Sequence, residues 1–507
     1  MNNTKRKSES ALRLMFVIIV AKLVGMFRDV ILANYFGTTN ISDAYLVATS
    51  VPTLLFYFIG HSLSTAYIPM YNKVKDQKGQ EAAQRYSNNL LCISLLLSTL
   101  IVILLLVFPQ FVVKTFAMGF DHKTVNIAVR IIRISVPSIY LMTIINIFSA
   151  YLQVNKSFLV PAAISLPRNF AVIVSIIIAY TWGIDWLGIG LLSSYLLELC
   201  FLLPFVCKKG YKFHLVLDIK DEQIKNTLYL IAPILLGMCV GQVNKIVDRS
   251  MASSVVAGGV SVLSYAAIIN NAIQEILVTG IITILFASCA ELVTNGRHEE
   301  VKIKLRDTIE SMSFLILPAT FGVFVLAEPI VELFLLRGEF DHISLSMTVG
   351  ALRCYTVGIL FLAIRDTLVK VFYAYKETKI TTATSVIAIF INIILNIVLG
   401  SWIGLNGLAL ATSLSAMVNC ILLFVLLRKR IGDFGTATII VVLIKSLIGG
   451  AIMAGVVFAS HLLLEEYFNS LVALLISVGI GCIVYFIVEI AFVNKPIMNV
   501  LRKIVKR

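Results

Sequence analysis

The chain has 507 residues, 59% of them hydrophobic and only 14% charged, with a mean hydropathy of +0.93. A soluble protein of this composition could not cover its apolar side chains with polar ones, so the solvent around most of the chain must be lipid. The formal charge of +14 comes without a basic stripe carrying interleaved aromatic residues. Lys and Arg sit at the ends of apolar runs, which excludes a nucleic-acid partner and points to a membrane orientation signal.

Met1 to Glu9 is polar and basic, and the apolar run behind it lacks a small-residue cleavage pattern, which predicts an uncleaved first helix. Fourteen apolar segments are predicted as spans, at 11–36, 42–71, 87–117, 124–153, 158–182, 186–206, 224–253, 260–293, 308–335, 343–375, 378–400, 405–427, 436–463 and 468–493. Each is about the 20 residues needed to cross a bilayer, or longer. The expected fold is therefore an all-α polytopic membrane protein.

With the N-terminus in the cytoplasm, the inner segments hold 27 Lys and Arg, against Lys114, Lys123 and Arg337 outside. An even number of spans returns the C-terminal cations, Lys495 to Arg507, to the same side. The outer connections, such as Gly37 to Ile41 and Ser254 to Gly259, are short and almost uncharged, leaving no room for an outer catalytic domain. Lys208 to Thr227 alternates apolar and charged residues and is predicted to lie along the membrane surface.

Comparing the chain with itself reveals a weak repeat at an offset of about 220 residues, the trace that duplicated transporter bundles leave. Asp29-(x3)-Ala33 aligns with Asp248-(x3)-Ala252, Asn155-Lys156 with Thr378-Lys379, and Leu187 to Ser194 with Leu405 to Ser413. The division that follows is an N-lobe at 1–207, an amphipathic linker at 208–223, a C-lobe at 224–430, and a remainder at 431–507 holding the last two helices and a cytoplasmic tail.

A charge at mid-bilayer costs several kcal/mol (about 2.5 to 3.5 on insertion scales), so charged residues inside spans are candidates for a water-filled, substrate-contacting cavity. The first half holds Lys22, Arg28, Asp29, Asp43, His61, Arg130, Arg133, Arg168 and Glu198. The second holds Lys245, Asp248, Arg249, Glu275, Arg353, Arg365, Asp366 and Lys370. A lining rich in cations suits an anionic substrate such as a diphosphate, with Arg as a fork and Lys as a point charge. The competing reading is that the adjacent pairs Arg28/Asp29, Asp248/Arg249 and Arg365/Asp366 are structural, or snorkel near helix ends.

His61 has no His, Cys or carboxylate partner at ligand spacing, which favours a cavity or packing role over metal binding. The eight cysteines show no CxxC and read as small buried side chains. Pro52, Pro137, Pro167, Pro233, Pro318 and Pro329 fall inside spans and permit bends.

The motifs Gly25-Met-Phe-Arg28-Asp29, Ser42-Asp43-Ala44-Tyr45, Val247-Asp248-Arg249, Arg337-Gly-Glu-Phe340-Asp341, Phe372-Tyr373-Ala374 and Thr378-Lys379 resemble the MurJ/MviN family of the multidrug/oligosaccharidyl-lipid/polysaccharide (MOP) exporter superfamily. The likeness runs from about Leu12 to Gly432. It implies two pseudo-symmetric six-helix lobes around a central cavity with alternating access, as in MATE-like folds, plus two C-terminal helices forming a lipid-tail groove. It also implies a flippase for a polyprenyl-diphosphate-linked saccharide, lipid II-like, in the bacterial cytoplasmic membrane.

On that resemblance Lys22, Arg28, Asp29, Asp43, His61 and Arg365 are the substrate-binding candidates, with cell-wall synthesis proteins as possible partners. No catalytic residue and no organic cofactor is expected. The family's sodium site resembles Asp248 with Asn392, Asn396 and Thr412 and the carbonyl near Leu408, oxygen ligands suited to a hard cation. Three positions depart from the family: cations are missing between Leu54 and His61 and at Ile268, and Asn396 replaces an Asp. A flippase for another lipid-linked polysaccharide unit is the alternative. A small-molecule exporter would call for an acidic cavity, and a glycan polymerase or ligase for a large outer loop.

Overall fold

The computed structural model describes the backbone of residues 2–492 and, apart from 2–12, 57–59, 61, 62, 64, 65, 230 and 232–241, their side chains. The tail cations Lys495 to Arg507 and the side chains of His61 and Pro233 lie outside the described residues.

Every element among the described residues is helical. In chain order they are α1 (Asn2–Phe36), α2 (Asn40–Val107), α3 (Pro109–Phe116), α4 (His122–Ser135), α5 (Ser138–Val154), α6 (Leu159–Ala163), α7 (Ser165–Trp182), α8 (Asp185–Lys208) and α9 (Glu222–Val255). They continue as α10 (Gly259–Thr294), α11 (His298–Val325), α12 (Ala327–Leu335), α13 (His342–Thr356), α14 (Ile359–Ala374), α15 (Thr378–Ile431), α16 (Thr436–Glu465) and α17 (Ser470–Ala491). Lipid enforces this, because a backbone polar group in hydrocarbon must find its partner within the same segment.

Among the described residues, each of the fourteen expected segments falls mainly on helix. Two pairs are fused: α2 runs through two of them, turning at Gly79 (φ 86°), and α15 through two more, broken at Ile403 and Gly404. Among the described residues eight helices are long and apolar enough to cross a membrane, and up to ten if each of two bent pairs counts as one span. The segments outside that set are α1, the start of α2 and α9, each of which includes residues whose side chains are not described.

The bent pairs are α4 with α5, at 51°, and α13 with α14, at 43°. Pro137 sits at the first bend, as its missing N–H predicts. The second carries Val357-Gly358 in place of a proline.

The repeat is sharper in the backbone than in the residues. The described non-glycine residues with positive φ are Lys156 (59°) and Lys376 (60°), 220 positions apart. This corrects the alignment of Lys156 with Lys379 by three residues. Phe120-Asp121-His122 and Phe340-Asp341-His342 share the same offset. Asp121 accepts from the Thr124 backbone N–H at 2.9 Å and caps α4, and Asp341 accepts from the Ser344 N–H at 2.8 Å and caps α13. Those bonds hold both carboxyls below the usual carboxylate range.

Each of these turns packs on the first helix of the other repeat. The N–H groups of Met118 and Gly119 donate to the hydroxyls of Ser250 and Ser253 near the end of α9. The Glu339 N–H donates to the Asn34 carbonyl of α1 at 2.9 Å. Gly338 (φ 59°) approaches so closely that a Cβ there would stand 2.2 Å from the Asn34 oxygen, so no other residue fits. The Arg337-to-Asp341 motif is thus a docking turn.

By packing, the chain forms two compact units: residues 1–261 with 337–340, and 262–336 with 341–507. The repeat opens the second half at 224, whereas packing gathers α9 with α2 and α3 in the first unit. In that unit α1 packs on α7, α7 on α8, and α2 on α5. Its core includes the tyrosines Tyr67, Tyr71, Tyr86, Tyr151 and Tyr211.

The second unit has its own core on α10, α11, α14 and α15. There α16 packs against α11 and α17. Gly450 lies against the Phe321 ring and Gly481 against Val457, the small-residue contacts that bring membrane helices close. The Tyr485 hydroxyl donates to the Phe314 carbonyl at 2.8 Å.

Candidate functional site

Each unit encloses charged residues among apolar helices. In the first, α1 contributes Arg28 and Asp29. The Arg28 guanidinium donates through Nε and Nη2 to Asp29 Oδ1, at 2.9 and 2.7 Å, and through Nη1 to Asn169 Oδ1 on α7, at 3.1 Å. Gly25, one turn earlier on α1, faces the same Asn169. Arg28 keeps 30% of its side chain exposed.

Next to Asn169, Arg168 lies 3.7 Å from Glu198 of α8, and its guanidinium sits 5.8 Å over the Tyr195 ring. Glu198 is almost fully buried, and its Oε2 has no hydrogen-bond partner. Tyr45 of α2 and Tyr195 stand within electrostatic reach of Arg28. The cluster contains two guanidinium groups and two carboxylates and is electrically balanced. Sequence reasoning missed Asn169 and Tyr195, which carry no charge to mark them.

Lys22 is exposed two turns before Arg28 on α1. Asp43 lies elsewhere. It is 1% exposed, and it accepts from the backbone N–H groups of Gly258 (2.9 Å) and Ser261 (2.7 Å) and from the Ser261 hydroxyl. This geometry caps the first turn of the helix beginning at Gly259, so the substrate contact expected of Asp43 finds no exposed atom to make it.

Arg365 belongs to the second unit and repeats the local clamp, with Nε and Nη2 on Asp366 Oδ1 at 2.9 and 2.6 Å. One turn along α14, the Lys370 ammonium lies over the rings of Phe286 and Tyr373. Arg28/Asp29 and Arg365/Asp366 are therefore both closed structural pairs and partly exposed cations, which joins the two readings posed for them. On α9, Asp248 accepts from Asn244 at 3.0 Å, and Arg249 Nη1 is buried without a hydrogen-bond partner.

Four of the five expected sodium residues lie together on the two arms of α15. The Asn396 amide donates to Asn392 Oδ1 at 2.9 Å, and Thr412 donates to the Leu408 carbonyl at 3.1 Å. Ser415, which sequence reasoning missed, links them: it accepts from Asn392 at 3.4 Å and donates to the Thr412 carbonyl at 2.9 Å. Asn392 and Asn396 are fully buried. The four on α15 offer neutral oxygen donors of the hard kind, and the fifth, Asp248, belongs to α9 in the first unit.

A chain whose described elements are all helical and repeat one design, with charged residues held among apolar helices, has the make-up of a polytopic membrane transporter. It belongs to the MurJ family: the model of that family, described as lipid II flippase MurJ, matches residues 32–479. A relative from Thermotoga maritima, described as a probable lipid II flippase MurJ, is 27% identical over 484 residues, covering 95% of this chain and 96% of its own. One from Thermosipho africanus, described as lipid II flippase MurJ, is also 27% identical, over 483 residues, with the same coverage. A solved structure of lipid II flippase MurJ in an inward closed conformation aligns with TM-score 0.81 at 25% identity, covering 94% of this chain and 98% of that one. An inward-facing multidrug resistance transporter of the MATE family aligns with TM-score 0.72 at 15% identity, over 84% of this chain and 99% of its own, a likeness of fold.

Proposed function

We propose that this chain flips a polyprenyl-diphosphate-linked saccharide, a lipid II-like peptidoglycan precursor, across the bacterial cytoplasmic membrane. Family membership supports the class of cargo, and the Arg28 cluster carries the reading at the level of residues. A planar fork already holding one carboxylate, yet partly exposed, is suited to exchange that carboxylate for a diphosphate oxygen pair. Exchange within a balanced cluster favours release as well as capture, which a carrier needs and an anion trap does not. The protein is a transporter and not an enzyme. Its partners on this reading are the lipid-linked saccharide, the membrane and the cell-wall synthesis proteins that supply and consume the cargo. Transport of purified protein in liposomes tests it, with lipid II against an undecaprenyl-diphosphate-linked capsule-type unit. Movement of the capsule unit alone would replace the peptidoglycan reading. One observation favours that second cargo: Leu54 and Phe56, in the stretch where the family carries cations, are buried in the apolar core.

On the cation asymmetry we propose that both termini and the connections near 78 and 300 are cytoplasmic, and that those near 39 and 341 are outside. Single cysteines at these four positions of a cysteine-free variant should react with an impermeant maleimide accordingly. Labelling of position 78 from the outer face of intact cells overturns the orientation.

Sodium is proposed to bind weakly, because Asn392, Asn396, Thr412 and Leu408 supply only neutral oxygens and Asp248 is the single carboxylate of the set. Asn396→Asp restores a second charge and should lower the sodium concentration for half-maximal stabilisation in a thermal melt about tenfold, whereas Asp248→Asn should abolish the response. A flat melt for Asn396→Asp across a sodium series balanced with potassium removes the site and leaves membrane potential as the driver.

A further inference from the structure

The segment between α8 and α9 carries a feature that lies outside the charged clusters described above. Residues 211–218 form no regular structure, yet they are fastened to the second arm of α2 along one edge. Gln84 donates to the Gly210 carbonyl at 2.7 Å, Asn88 to the Lys212 carbonyl at 2.9 Å, and Asn89 both donates to the Asp218 carbonyl and accepts from its N–H. Tyr211 is buried in the tyrosine cluster and donates to Asn88 at 2.7 Å. The strap is held, and what it presents is a built feature.

Its side chains alternate with the period of two that an extended chain imposes. Lys212, His214 and Val216 line a half-open cavity of about 640 Å³ with Glu81, Arg85 and Asn88 among its other walls. Phe213 (55% exposed), Leu215 (84%), Leu217 (52%) and Ile219 (64%) face away from it, uncovered by the chain. Four large apolar side chains in a fixed row are a liability in water and an asset in hydrocarbon.

We propose that this row enters the cytoplasmic leaflet as an interfacial anchor, with the neighbouring lysines on anionic lipid headgroups. The strap begins where α8, a span by length and composition, ends at Lys208, which sets it at the membrane boundary. Lys208, Lys209, Lys220 and Lys225 are all exposed. Of the three acids nearby, Asp218 and Asp221 are tied to the backbone N–H groups of Lys220 and Gln223. Cations flanking an apolar row complement a negatively charged leaflet. The anchor holds whatever the cargo is.

Tryptophan placed singly at 213, 215 and 217, and at 214 and 216, tests it in nanodiscs of phosphatidylglycerol and phosphatidylcholine, after subtracting the signal of the three native tryptophans. Brominated acyl chains should quench the odd positions at least threefold more than the even ones, and aqueous iodide should do the reverse. Phosphatidylcholine alone should weaken lipid quenching at 215. Equal quenching of odd and even positions, or iodide reaching 215 as freely as 214, overturns the anchor. Unchanged quenching at 215 without the anionic lipid overturns its electrostatic half. Leu215→Ser gives a check free of added aromatic bulk, and should slow transport in anionic but not in zwitterionic liposomes; equal slowing in both counts against the proposal.

Discussion

Arg28→Ala is expected to abolish complementation of a strain depleted of its own flippase, with the protein still present in the membrane at normal abundance. The substitution removes the donors to Asp29 and Asn169 together and leaves Asp29 as an unpaired carboxylate within the bundle. Breaking such a pair costs about 2 to 5 kcal/mol, on the order of 30-fold or more in rate where the lost contact is made to the cargo. Arg28→Lys should also transport poorly, because one ammonium cannot span Asp29 and Asn169 as the fork does. Asp29→Asn separates binding from release: it frees Arg28, so cargo should be held more tightly and delivered more slowly. Wild-type growth of Arg28→Ala would remove the cluster from the transport path.

The helices were legible because lipid tolerates little else, and an apolar run of sufficient length declares itself. What joined them was less so. The fusion of two spans into α2 depends on a polar stretch staying helical up to Gly79, which hydropathy does not register, and α15 continues as helix on both sides of its break at Ile403 and Gly404. The repeat was visible but misaligned by three at Lys156, since identity was matched where the duplicated feature is a positive φ, at Lys156 and Lys376. Charged members of the site could be named from the sequence because a charge inside an apolar run is costly. Asn169, Tyr195 and Ser415 could not, because neutral polar residues are common in spans and their partners are set by packing. Asn169 meets Arg28 across 141 residues of chain.

Asp43 shows how a charge in a span can meet partners that its sequence surroundings do not announce. Its carboxylate meets Gly258 and Ser261 some 215 residues away, so no local pattern announces the contact. The first turn of a helix exposes N–H groups that nothing within the helix can satisfy, and a buried carboxylate accepting them makes charge-assisted bonds. Asp43→Asn keeps the shape but turns an amide N–H₂ toward one of those donors, which leaves two donors facing each other in a buried place. The expected loss is about 1.5 to 3 kcal/mol, read as a lower melting temperature of the purified protein with no cargo present. Ser261→Ala should cost less alone, and the double variant should fall short of the sum, because both changes break one contact. Were Asp43 instead a cargo ligand, Asp43→Asn would melt like the wild type and lose only transport, and that result would return Asp43 to the substrate path.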